Sequence, residues 1–151
     1  MIMLGISIRK AQKRDAESIL EINRLSIFDI HDFLYPQNDK ETLVLKDIEE
    51  ATALITSKNN NTWVATIFGK IVGFGVSKDN AIDKLYVHPQ HQGRGVASLL
   101  LKQLEKSLEK PIFKVSKNSV TFYERHGYKV QGKSKKIINN KKFDSFVIYK
   151  D

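Results

Sequence analysis

LYVHPQHQGRGVASLLLKQLEK, residues 85–106, joins an apolar strand to an amphipathic helix through a glycine-rich turn. The first amide groups of a helix lack intrahelical partners and carry the positive end of the helix dipole, so they bind anions. Glycines allow the positive φ angles that let successive amides point at one phosphate. An ordinary connection also fits QGRG alone, but the longer context favours a phosphate-binding turn, which would comprise Gln92, Gly93, Arg94, Gly95, Val96, Ala97 and Ser98.

This turn resembles the signature Q/R-x-x-G-x-G/A of the GNAT family, the Gcn5-related N-acetyltransferases. Gln92, Gly95 and Ala97 fill the signature. In that family the turn binds the pyrophosphate of acetyl-CoA, and the preceding strand pairs with the pantetheine arm. The resemblance implies an N-acetyltransferase that uses acetyl-CoA as cosubstrate and no metal. It also implies that the pantetheine arm lies along Leu85, Tyr86 and Val87.

A second resemblance lies in NSVTFYERHGYKV, residues 118–130, which is similar to the terminal family motif Y-E-K-x-G-F/Y. Its tyrosine is Tyr123. A phenol with a pKa near 10 is protonated at pH 7, so Tyr123 suits a general acid for the departing thiolate. Orienting the thioester sulfur is the alternative role. The family commonly has an Asn seven residues earlier that contacts CoA; here Ser116 stands there and Asn118 follows, so either can take that role.

Many GNAT proteins carry an acid on the strand before the turn, and Asp83 is the candidate base here. In a regular strand Asp83 would share a face with Leu85, and burial there would raise its pKa toward a useful range. A water chain as base, or a simple ion pair with a lysine, are the alternatives. The histidines have no metal-ligand spacing, so solvated loop positions are predicted for His88, His91 and His126.

The chain has 151 residues, no cysteine and a net charge of +8. The absence of cysteine excludes disulfides and a cysteine nucleophile. No apolar run has the length needed to span a bilayer, and MIMLGISI lacks the basic start of a signal peptide, so a cytoplasmic protein without membrane contact is expected. The positive charge favours an anionic partner such as CoA. A nucleic acid is less favoured but stays open, and solvated lysines explain the charge equally well.

The hydrophobic patterns predict one GNAT domain over residues 1–151, with a mixed α/β fold. Its central sheet would be mostly antiparallel, with about seven strands and helices on both faces. Helices are predicted after Asp15, which would cap the first of them, at 47–57, after Gly95 and at 118–125. Residues 27–45 lack clean periodicity and would help form the acceptor pocket. The predicted strands are 6–11, 62–67, 70–77, 81–87, 112–116, 128–137 and 141–150. Turn signals at 68–69 and 78–80 predict an antiparallel meander, and Asn139-Asn140 predicts a terminal hairpin.

Three functional hypotheses follow. The leading one is transfer of acetyl from acetyl-CoA to a primary amine of a small molecule or peptide. The second is a macromolecular acceptor, either protein lysine, a protein N-terminus or aminoacyl-tRNA, suggested by the lysines of residues 129–142. The third is a CoA-binding regulatory module without turnover. A homodimer is also possible, through an apolar strand edge expected after residue 142.

Overall fold

The computed structural model describes residues 5–151, and within them it contains seven strands and five helices. Single turns of 3-10 helix lie at Lys13–Asp15, Pro89–His91 and Lys117–Ser119. The first four residues of the MIMLGISI stretch lie outside the described residues. In chain order the elements are β1 (Ile6–Lys10), α1 (Ala16–Phe28), α2 (Gln37–Leu43), α3 (Ile48–Thr56), β2 (Asn61–Ile67), β3 (Lys70–Lys78), β4 (Ala81–Val87), α4 (Val96–Glu105), β5 (Ile112–Ser116), α5 (Val120–Arg125), β6 (Lys129–Ile138) and β7 (Lys141–Tyr149).

The strands form two antiparallel sheets, with strand orders β1-β2-β3-β4 and β5-β7-β6. The predicted α/β class, strand number and antiparallel pairing are confirmed. The division into two sheets was not predicted: β4 and β5 are neighbours but do not pair. Each is therefore an edge strand, and the gap between them becomes available to a ligand.

Tight turns connect the strands at the predicted positions. The backbone φ angle is positive at Phe68 and Gly69, at Asp79 and Asn80, and in the Asn139-Asn140 turn of the β6–β7 hairpin. Positive φ at two central residues is the geometry that matches the twist of a hairpin. The predicted meander and terminal hairpin are thus confirmed.

Helices cover both faces of the first sheet. On one face α1 and α3 pack through Ile19 and Ala51 against Phe74 of β3. On the other face α4 lies over β3 through Val96 and Leu100. The backbone of β3 is close to α4 there, since a Cβ added at Gly75 would lie 2.5 Å from a methyl carbon of Leu104. Because α4 also packs against β5 and β7 through Leu101 and Leu104, this one helix joins the two sheets.

Helix α2 lies in the region where no helix was predicted. Its sequence, QNDKETL, has no apolar stripe, and it is held instead by buried charges. The ammonium of Lys40 contacts Asp32 at 2.8 Å and the carbonyl oxygens of Phe28 and Ile30. Buried charges require such partners, so α2 depends on ion pairs and not on apolar packing.

Two expectations about single elements were wrong. Asp15 precedes α1 but does not cap it; its carboxylate accepts the backbone N–H of Gln12 and binds the guanidinium of Arg9 at 2.8 Å. The strand after residue 142 is not an edge, because β7 pairs with β5 on one side and β6 on the other. The second sheet exposes β6, whose lysines discourage pairing with another chain. A homodimer stays a prediction.

Candidate active site

The turn before α4 has the backbone expected of a phosphate-binding turn. Strand β4 ends at Val87, and both Gly93 and Gly95 adopt positive φ, 76° and 87°. Gly95 is the N-cap of α4 and provides no side-chain hydrogen bond to the first turn. The first amides of α4 are therefore left for a ligand.

A groove of about 500 Å³ runs along this turn, and we call it the α4 groove. Ten of the predicted cofactor-binding residues line it, from β4, the turn and α5. The groove thus brings together residues more than thirty positions apart in the chain, as a single binding site requires. These ten are Leu85, Val87, Gln92, Gly93, Gly95, Val96, Ala97, Ser98, Asn118 and Tyr123.

The other three predicted cofactor residues do not line the α4 groove. The ring of Tyr86 lies on the opposite face of β4, 5.6 Å from that of Phe74. Arg94 is exposed, with its guanidinium 3.4 Å from Nδ1 of His91. Ser116 lines a second cavity and lies 3.3 Å from the hydroxyl of Ser119. Of the two candidates near residue 117, only Asn118 reaches the groove.

The second cavity, of about 680 Å³, lies between the unpaired edges of β4 and β5, and we call it the β4–β5 cavity. Its walls come from Ile27 and Ile30 at the end of α1, from Leu43 of α2, and from β6. The region 27–45 therefore helps to form this cavity, with Tyr35 in its lining. Four residues line both cavities: Leu85, Asn118, Ser119 and Tyr123.

Tyr123 lies in an aromatic cluster at this junction. Its ring centroid is 5.6 Å from that of Phe113, 5.2 Å from Phe122 and 5.3 Å from Tyr128. Burial raises the pKa of Tyr123 above that of an ordinary phenol, and the nearby Tyr86 and Glu105 raise it further. Its hydroxyl makes no hydrogen bond within residues 5–151, so it can donate to a ligand.

Asp83 lies in the lining of the β4–β5 cavity, but it is not buried as predicted: its side chain is 45% exposed. The β3–β4 register shifts here, since Val76 pairs with Lys84 and Ser77 with Ile82, which leaves Asp83 as a bulge residue. The bulge interrupts the alternation of side chains along β4, so the prediction that Asp83 lies on the same buried face as Leu85 was wrong. Oδ2 of Asp83 lies 3.8 Å from Nζ of Lys84.

Of the three histidines predicted at solvated loop positions, His88 and His91 lie partly exposed in the loop after β4. Nδ1 of His88 accepts the backbone N–H of Gln90, and His91 lines the α4 groove. Partial burial lowers the pKa of His91, and the charge of Arg94 adds to this. His126 is half-buried and contacts Ser98. Within residues 5–151, no three metal-binding side chains gather in one place.

Sequence reasoning missed several residues of the site. The α4 groove is also lined by Ser119, Phe122 and Arg125. The three residues follow one another at intervals of three, and this spacing was the available signal, because residues three or four apart on a helix share a face. Arg125 adds a positive charge at the groove, which suits an anionic ligand.

The family model described as "Acetyltransferase (GNAT) domain" matches residues 32–142. The chain belongs to the GNAT family. It is 29% identical over 135 residues to the peptidyl-lysine N-acetyltransferase YjaB of Salmonella typhimurium, covering 85% of this chain and 87% of YjaB. A shorter match, 41% identical over 69 residues, covers 46% of this chain and 46% of the uncharacterized N-acetyltransferase YafP of Escherichia coli. The chain thus spans less than half of YafP.

Solved structures of GNAT proteins have the same fold. The GCN5-related N-acetyltransferase of Rhodopseudomonas palustris superposes with a TM-score of 0.87 and 27% identity, covering 100% of this chain and 98% of that one. The PaiA N-acetyltransferase of Thermoplasma acidophilum, solved with coenzyme A, superposes with a TM-score of 0.82. Its identity is 20%, and the match covers 98% of this chain and 99% of PaiA, so this likeness supports the fold alone.

This GNAT protein is thus an N-acetyltransferase with acetyl-CoA as its cosubstrate, as the resemblance implied. The hypothesis of a regulatory module without turnover is not supported. Across the described residues, the helices are too short or too polar to cross a bilayer.

Proposed function

We propose that this GNAT protein transfers the acetyl group of acetyl-CoA to a primary amine of a small molecule or peptide by direct attack on the thioester. The observation that carries the proposal is the position of Tyr123, which lines both the α4 groove and the β4–β5 cavity. An acid at this junction is within reach of a thioester that enters from one side and an amine that enters from the other.

The α4 groove fits a pyrophosphate-containing cosubstrate. The open amides at Gly93 and Gly95 suit the two phosphates, and Arg125 adds charge at the groove. The free edge of β4 suits backbone pairing with the pantetheine arm, and the side chain of Asn118 would contact that arm in place of Ser116. Because α4 packs against both sheets, we treat residues 1–151 as one GNAT domain that performs this function.

Asp83 is the proposed base. It accepts a proton from the acceptor ammonium, directly or through water, and the free amine then forms its C–N bond to the thioester carbon. The nitrogen of the tetrahedral intermediate loses its extra proton to solvent as the C–S bond breaks. A backbone N–H on the open edge of β4 stabilises the oxyanion, a contribution of roughly 100- to 1,000-fold in rate for such donors. The exposure of Asp83 favours a route through water.

Tyr123 is the proposed acid. As the C–S bond breaks, the phenol donates its proton to the departing thiolate, and solvent returns that proton later. Burial raises the pKa of Tyr123, so the phenol keeps its proton at neutral pH and has it available for the thiolate. In the alternative role, the hydroxyl only orients the thioester sulfur.

A second candidate acceptor is a lysine within a protein, supported by the relative YjaB, which is named a peptidyl-lysine N-acetyltransferase. An aminoacyl-tRNA is less supported. Two lysines of the 129–142 cluster are already ion-paired, Lys135 with Asp144 and Lys141 with Asp39. These pairs reduce the charge available to phosphates, so a nucleic acid partner is not favoured.

Isotopically labelled acetyl-CoA would test the proposal. We expect the purified protein to transfer label into the metabolite and peptide fraction of a cell extract, and the acetylated product can be identified by mass. Label in intact protein or RNA would favour the second candidate instead. Absence of transfer to every fraction would contradict the proposed function.

A further inference from the structure

The β4–β5 cavity has an excess of positive charge. Its lining contains Asp83 as the one carboxylate among the described lining residues. Four lysines from β4, β5 and β6 also line the cavity. These are Lys84, Lys114, Lys135 and Lys136.

Local ion pairs do not neutralise this excess. Lys135 is paired with Asp144, which lies outside the cavity lining. The contact of Lys84 with Asp83 is long, 3.8 Å. Lys136 has no carboxylate within ion-pair distance in residues 5–151. The cavity therefore retains an uncompensated ammonium on β6, and Lys84 of β4 lines the same cavity.

The two ammonium groups influence each other across the cavity. Lys136 is an exposed residue, but partial burial of its ammonium lowers the pKa of Lys136. The charge of Lys84 lowers it further, whereas Asp83 opposes both effects. An anion between the two lysines would relieve this repulsion.

We propose that Lys84 and Lys136 bind a carboxylate or phosphate of the acceptor, so that the preferred substrates are amines with an anionic group close to the amine. This inference rests on the proposed function and specifies its substrate class. Asp83 beside Lys84 then receives the ammonium end of the same molecule. The arrangement disfavours polyamines, because a second positive charge would lie against the lysines.

Matched acceptor pairs test this inference. We would measure kcat/KM for β-alanine against β-alaninamide, for phosphoethanolamine against ethanolamine, and for a lysine peptide flanked by Glu against the same peptide flanked by Gln. Each pair changes the anionic group and retains the amine. The variant is Lys136→Gln, and the control is Lys133→Gln, which makes the same charge change on the same strand but outside the cavity lining.

The wild type should prefer the anionic member of at least one pair, and the first two pairs distinguish a carboxylate from a phosphate. Lys136→Gln should reduce that preference by roughly fivefold, while Lys133→Gln retains it. Comparing the preference between enzymes cancels the intrinsic reactivity of each amine. Equal use of both members in every pair, or a preference unchanged in Lys136→Gln, would overturn the inference and leave the proposed function standing. Transfer to none of the six acceptors by protein that labels the metabolite and peptide fraction would overturn the inference alone, whereas protein that labels no fraction would overturn the proposed function.

Discussion

The imidazole of His126 and the hydroxyl of Ser98 lie 2.9 Å apart, which connects the end of α5 to the first turn of α4. The other ring nitrogen, Nδ1, donates to the carbonyl oxygen of Phe122 at 2.8 Å. In a neutral imidazole whose Nδ1 carries the proton, Nε2 can only accept a hydrogen bond, so the hydroxyl of Ser98 donates to Nε2. The helix that carries Tyr123 is thereby held against the helix whose turn would bind pyrophosphate.

This contact predicts coupled effects of Ser98→Ala and His126→Ala. Each should destabilise the fold by about 1 kcal/mol, and the double variant should be little worse than either single one. Thermal unfolding of the four proteins measures the coupling. We also expect both single variants to lose turnover, because Tyr123 is no longer aligned with the thioester. Additive losses of stability would mean that the two side chains do not depend on each other.

Gly95→Val should abolish CoA binding. A valine at φ 87° is strained by roughly 1–2 kcal/mol, and its branched side chain would stand where the phosphate approaches. We expect the Kd for CoA to rise at least about tenfold, measured by calorimetry, while circular dichroism reports an intact fold. Gly132→Ala is the control, since an added Cβ there meets nothing within 4 Å. Unchanged affinity in Gly95→Val would rule out the turn as the phosphate site.

Asp39 should make stability depend on pH in the acidic range. Its buried carboxylate accepts from Nδ2 of Asn139 and from Nζ of Lys141, both at 3.0 Å, and the Asn139 hydrogen bond is the main cause of its lowered pKa. A carboxyl with a lowered folded-state pKa stabilises the protein above its unfolded pKa, near 3.9, and this stability is lost as the pH falls through the folded pKa.

Asp39→Asn should therefore lower the unfolding temperature at pH 7, and its difference from the wild type should shrink from about pH 4 downward. Asp29→Asn is the matched control, because that exposed side chain makes no hydrogen bond in the described part of the chain. Asp39 also connects α2 to the hairpin that walls the β4–β5 cavity, so the acceptor KM should rise. A difference that does not shrink at all as the pH falls below about 4 would show that the charge of Asp39 is not the cause.

Asp83→Asn should reduce kcat/KM for the acceptor by roughly 100-fold at pH 7, the size typical of a lost general base. The loss should become smaller as the pH approaches the pKa of the amine, because more of the acceptor is then already deprotonated. Initial rates from pH 6.5 to 10 test this. A loss of the same size at every pH would assign Asp83 a structural role beside Lys84.

The sequence was sufficient to predict the parts of the fold that depend on local pattern. The alternating strands and the Asn139-Asn140 turn are local features. The positive φ angles at residues 93 and 95 were expected because both residues are glycine. Helix α2 was missed because its buried residues are Asp39 and Lys40, whose partners Asn139 and Asp32 lie outside the helix and are not implied by its own pattern. The Asp83 bulge was missed for a related reason: strand register depends on the neighbouring strand, which the pattern of β4 alone does not contain.

Replacing Tyr123 with Phe separates acid catalysis from cofactor binding. The substitution removes one oxygen at the junction of the two cavities and keeps the ring in its aromatic cluster. We expect kcat to fall by at least about 100-fold while the Kd for CoA changes less than about twofold. Tyr149 lies in the lining of neither cavity, so the control variant Tyr149→Phe should retain both the kcat and the Kd of the wild type. Full turnover in Tyr123→Phe, or a loss confined to CoA binding, would contradict the assignment of Tyr123 as the acid.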